Sequence, residues 1–211
     1  RSALSTCALP DGGTVVSVNA DDAPGSGGKG TSRARLDASG NLVSSFGTDG
    51  IAKVALTDWT SGTAGWDSEN NPADNVWDIQ LDESGSEEKI VLFGYAPAPA
   101  SSTRTDTDRY VARVLLSDGS FDTSFSGDGV FSIDFGENNL SDGARRGVVL
   151  ADGAVVSSGY TVMAETRHHV MLLKLSPSGI PVADFGFHGD ESCGTAQDGV
   201  ICSNPNLPAG G

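Results

Sequence analysis

The chain has 211 residues, 37% of them hydrophobic, and its 28 acidic against 13 basic side chains leave a formal net charge of -15. That length suffices for a packed core, and the charge excludes nucleic acid and anionic membrane surfaces, which are gripped by neutralising phosphates with Lys and Arg. The 28 glycines, spread among Ser, Thr, Asp and Asn, exclude long helices and point to an all-β class rich in tight turns.

In chain order, LPDGGTVVSV from Leu9 reads as a strand end, an Asp-Gly turn and a strand of β-branched residues, which is a hairpin. LDASGNLVSSFGTDG follows from Leu36 to Gly50, and then the short apolar stretch IAKVAL from Ile51. After an insertion between Thr57 and Asn75 the hairpin signal returns as LDESGSEEKIVLFGY from Leu81. The stretch APAPASSTRTDTD from Ala96 to Asp108 reads as an extended, solvated loop between two strands. LLSDGSFDTSFSGDG from Leu115 to Gly129 precedes VFSIDF from Val130. A third round starts with LADGAVVSSGY from Leu150, continues with the strand HHVMLLKL from His168, and reaches LSPSGIPVADFGFHG from Leu175 to Gly189. The last strand of that round is expected, in degraded form, in the cysteine-bearing segment.

Aligned on Phe without gaps, the three long segments share Gly40, Phe46 and Gly50, then Gly119, Phe125 and Gly129, then Gly179, Phe185 and Gly189. Each unit contains four strands in meander order. Three units of this kind predict an all-β protein whose four-stranded antiparallel repeats are arranged as β-propeller blades. The predicted boundaries are residues 1–75, carrying a Trp-rich insertion, 76–140, and 141–211 with a disulfide-bearing C-terminal segment. The Phe is expected to plug the space between adjacent sheets, and the Gly residues to supply positive φ in the turns.

At Arg35-Leu36 with Ser45-Phe46-Gly47, and at Asp122 with Ser124-Phe125, the chain resembles the delta-60 repeat family of bacterial β-propellers. The second unit departs with Ser126 in place of Gly, and the third with Lys174 for Arg and Asp184 before Phe185. The resemblance implies a propeller fold and a bacterial surface setting. Three blades are too few for a ring, which takes at least about four. The propeller is therefore expected to be partial or completed by oligomerisation, with another protein chain or further copies of itself as partner.

Candidate binding residues concentrate in the first insertion, where Trp59 and Trp66 stand with Asp67, Asn70, Asn71 and Asp74. Aromatic faces beside carboxylates and amides suit a sugar ring, and the same oxygens suit calcium. The alternative is that these Trp residues pin the loop to the body. Asp118, Asp122 and Asp128 form a second candidate calcium cluster, although turn formation by Asp-Gly also explains them. Calcium is the one cofactor these residues admit.

Cys193 and Cys202 flank Asp198-Gly199, which can turn the chain back and bring the two sulfurs together, so a disulfide is expected there; Cys7 is expected either as a buried free thiol or paired with another chain. His168 and His169 begin a strand, so alternation sends them to opposite faces. No catalytic motif stands out in the sequence.

No apolar run approaches the roughly 20 residues that cross a bilayer. The chain begins at Arg1 without an initiator Met, which reads either as a removed leader or as a piece of a longer protein. The expected setting is secreted, extracellular or cell-surface, with the periplasm as alternative. The expected function is a non-enzymatic interaction or structural module of a larger surface assembly. The alternatives are a carbohydrate-binding module using the Trp-rich insertion and a calcium-dependent propeller hydrolase.

Overall fold

The computed structural model describes residues 2–21, 29–54, 75–98, 104, 106–135, 140–163, 167–185 and 199–203. They form three four-stranded antiparallel sheets, each a meander. The first holds β1 (Ser2–Ala8), β2 (Thr14–Asp21), β3 (Lys29–Leu36) and β4 (Ile51–Val54). The second holds β5 (Asn75–Asp82), β6 (Lys89–Pro97), β7 (Thr107–Leu115) and β8 (Val130–Ile133). The third holds β9 (Asp142–Val149), β10 (Val155–Met163), β11 (Arg167–Leu175) and β12 (Val200–Ser203). The expected four strands per unit are present, and β12 falls in the cysteine-bearing segment.

The sheets stack face to face in chain order. β5 packs against β1, β2 and β3, and β9 packs against β5, β6 and β7. Burial follows from this order. The middle sheet is covered on both faces, so β7 is buried at eight consecutive residues, as a strand between two layers must be. In β11 burial instead alternates: His168, Val170 and Leu172 lie on one face, while His169, Met171 and Leu173 are buried on the other. The two histidines thus point to opposite faces, as their adjacency predicts.

Two apolar cores result. Leu9 and Val15 of the first sheet meet Val76, Ile79, Ile90, Leu92, Tyr110, Ala112 and Val114 of the second. Val91, Phe93, Val111 and Phe125 of the second meet Ala144, Val155, Met171, Leu173 and Leu175 of the third. Each fully buried large apolar side chain contributes roughly 1.5–3 kcal/mol. The described strands make no ring: the third sheet does not return to pack on the first.

Hydrogen bonds correct the gap-free alignment. The amides of Arg35, Arg113 and Lys174 donate to the carbonyls of Gly50, Gly129 and Gly199. Their carbonyls accept from the amides of Val43, Asp122 and Val182. Arg113 is therefore the counterpart of Arg35 and Lys174, and the middle unit carries one extra residue before Gly119. Gly199, with φ +76°, takes the place of Gly50 and Gly129, whose φ values are +86° and +94°. Gly189, the expected counterpart, lies outside the described residues.

The loop expected from Ala96 to Asp108 is shorter at both ends. β6 runs to Pro97 and β7 starts at Thr107, joined beyond the ladder by the Ala98 amide donating to the Asp106 carbonyl.

Candidate functional site

The feature that recurs between sheets is a joint built from the repeat residues. Phe46 is completely buried against Gly119 of the next sheet, where an added Cβ would stand 3.1 Å from two ring carbons. Phe125 is buried in the same way against Gly179, whose Cβ would meet Phe125 Cγ at 3.0 Å. Beside each ring one backbone bond crosses the gap: Gly47 N donates to Asp118 O, and Ser126 N donates to Ser178 O, both at 2.8 Å. A cation crosses as well. Arg35 Nη1 donates to Leu116 O at 2.9 Å, and Arg113 Nη1 donates to Pro177 O at 2.8 Å. Each joint thus takes Phe and a cation from one unit and Gly from the next.

Phe46 and Phe125 are fully buried, and Gly40, Gly50, Gly119, Gly129 and Gly179 all have positive φ. The glycines of the later units have a second function that the pattern did not reveal, the close approach of the preceding Phe. Ser126 follows Phe125 with φ +54°, the conformation Gly47 holds at +62°, so the exchange of Gly for Ser leaves the joint intact at some backbone strain.

The stack ends on half-joints. Gly40 is exposed, with no atom of the described residues within 4 Å of an added Cβ. Phe185 is only partly buried, and Lys174 Nζ sits 5.6 Å from its ring centroid, as the Arg113 guanidinium sits 4.8 Å from that of Phe125. The outer face of the first sheet presents the aligned row Val16, Ala34 and Ile51, with Leu42 48% exposed beside it. By register that row corresponds to Leu92, Ala112 and Val130, which the second sheet buries against the first. The outer face of the third sheet presents Leu172 and Ile201 beside Val170, which is 50% exposed. These correspond to Val111 and Phe131, which face the third sheet.

Charge is buried at the joints too. Arg113 bonds Asp122 through Nε at 2.7 Å and Asp82 through Nη1 at 3.3 Å. Burial pushes the Asp122 carboxyl up, but the Ser124 hydroxyl and amide and the Arg113 guanidinium outweigh it and hold it below the usual carboxylate range. Arg33, at the register of Val111 and Leu172, is fully buried between the first two sheets. Its Nε, Nη1 and Nη2 have no hydrogen-bond partner among the described residues, and burial, partly countered by Tyr110, lowers its pKa to about 10. Arg109 is buried between the second and third sheets and donates through Nη2 to Gly143 O and Met171 O, both at 3.2 Å.

The second candidate calcium cluster does not assemble. Asp118 accepts from the Ser120 amide and hydroxyl, Asp122 is held by Ser124 and Arg113, and Asp128 accepts from the Val130 amide. Each carboxylate closes its own turn. Among the described residues, the group of acids whose oxygens converge is instead Asp106, Asp108 and Asp134. Arg104 bridges all three, so a guanidinium stands where a cation would. The sequence does not show this group, because Arg104, Asp106 and Asp108 fall in the stretch that reads as a solvated loop and Asp134 falls in the separate apolar stretch from Val130.

Trp59, Trp66, Asp67, Asn70, Asn71 and Asp74 all lie outside the described residues. Trp77, just beyond them, has the Arg145 guanidinium 4.3 Å from its ring centroid. Among the described residues there is no disulfide; Cys193 of the expected Cys193–Cys202 pair lies outside them, as does the side chain of Cys202. Cys7 is a free, half-buried thiol, pushed up by burial. An open groove of about 680 Å³ lies along the rim of the first joint, where Asp49, Lys53 and Asp118 face solvent. No described helix is long and apolar enough to cross a membrane.

The chain matches no known family and no curated protein. What fold and joints define is a class: an all-β protein of three four-stranded antiparallel sheets, stacked through a repeated Phe-to-Gly contact.

Proposed function

We propose that this protein is a non-enzymatic structural or interaction module whose three sheets are blades of a β-propeller completed by another chain. The observation that carries this reading is the pair of outer faces, whose apolar rows are register equivalents of rows buried inside the stack. Apolar faces of this kind mark contact sites on soluble proteins, and sheets stacked in chain order with their first strands adjacent suit propeller blades. The resemblance of the repeat to bacterial surface propellers agrees with it and favours an extracellular or cell-surface assembly. The acidic surface suits solubility there.

Size measurement on the natively extracted protein tests this. The chain is expected in a complex well above its own 21.6 kDa. A native preparation that runs as a bare monomer overturns the reading.

A further inference from the structure

We infer that the missing neighbour is a second copy of the same chain, docked head to tail, with the Gly40 turn of one copy seated on Phe185 of the other. This rests on the module reading above and commits it to one occupant.

Two features of the ends point to this chain itself. First, the ends are the two halves of one joint. The third unit offers the ring and the cation, Phe185 with Lys174 above it, in the positions that Phe125 and Arg113 hold at the second joint. The first unit offers the receiving glycine, Gly40, with the Ser39 carbonyl in the position from which Asp118 and Ser178 accept. Second, burial separates used from unused halves. Phe46 and Phe125 are fully buried and Phe185 is not; Gly119 and Gly179 are buried and Gly40 is exposed.

A contact between two different faces is heterologous, so it closes only as a ring or continues as an array. An isologous dimer, first sheet on first sheet, would set Gly40 against Gly40 and leave both Phe185 rings uncovered. The internal joints need no such mismatch. Lys174 in place of Arg also suits a contact between copies: an ammonium can donate to one carbonyl as Arg113 does, without the buried carboxylate pair that Arg113 requires.

The test uses the purified full chain and two single variants, Leu42→Glu on the outer face of the first sheet and Val170→Glu on that of the third. Both side chains are about half exposed, so neither change strains the monomer's core. Sedimentation is measured at high ionic strength, where the net charge of -15 is screened. The wild type is expected to self-associate, and each variant to do so at least about tenfold more weakly, because a carboxylate would be buried in the contact. Mixing the two variants is expected to restore a heterodimer, since each still offers one intact face. That recovery also shows that both variants fold.

A monomeric wild type overturns the inference, as does a variant that associates as well as wild type, or a mixture that stays monomeric. If the purified chain is monomeric while the native form travels with a different protein, only the head-to-tail inference falls and the module reading stands.

Discussion

Phe46 and Gly119 share one contact: the ring of the first lies where a side chain on the second would have to stand. Gly119→Ala must push a Cβ to 2.6 Å from that of Ala52 and also adopts φ +75°. The expected loss is about 3 kcal/mol, from left-handed strain together with overpacking. Gly40→Ala, at φ +82° but in open space, is expected to lose only about 1 kcal/mol in the isolated chain. Urea unfolding of the two variants measures the difference.

Arg33 is a buried guanidinium with no hydrogen-bond partner among the described residues, placed where the other two sheets carry Val111 and Leu172. Desolvating an ionised group without pairing it is unfavourable, so Arg33→Leu is expected to stabilise the fold by about 1–3 kcal/mol. A rise in thermal midpoint checks this; a fall would mean that the charge serves the joint.

Arg113→Met leaves Asp82 and Asp122 buried without their cation, and is expected to be destabilising by about 3–5 kcal/mol at neutral pH. The sign with pH follows from Asp122, whose folded pKa is depressed. Its contribution is complete above the unfolded value of about 3.9 and disappears as pH falls through the folded value. The gap between wild type and variant therefore narrows on acidification. Asp134, raised by burial against the pull of Arg104, acts in the opposite sense, but it is common to both proteins and cancels. Unfolding midpoints across the acid range read the gap directly.

Ser126 holds a left-handed backbone that Gly47 holds without strain. Ser126→Gly is expected to add up to about 1 kcal/mol of stability, with the Ser126-to-Ser178 backbone bond kept. Chemical denaturation tests it, and an unchanged or lowered midpoint would show that the serine is not strained.

Much of this architecture was legible in one dimension. β-branched runs alternating with Asp-Gly turns have few solutions besides antiparallel hairpins, and a pattern of Gly, Phe and Gly repeated in three segments names turn and plug residues, because only local sterics and burial are involved. Register was less legible. The extra residue before Gly119 and the replacement of Gly189 by Gly199 leave the step from each Gly to its Phe unchanged and show only in who bonds to whom. The Arg104 group was hidden because it gathers Asp106 and Asp108, around the start of β7, with Asp134, just past the end of β8.

By itself the sequence determined that there are three all-β units, where their hairpins turn, and which aromatic and glycine positions recur, since these depend on neighbours in the chain. Only the tertiary structure decided that Phe of one unit meets Gly of the next, so that Phe185 and Gly40 are left as halves of one contact. That depends on the stacking of sheets, and a contact between units is set by packing across space, which spacing along the chain does not encode.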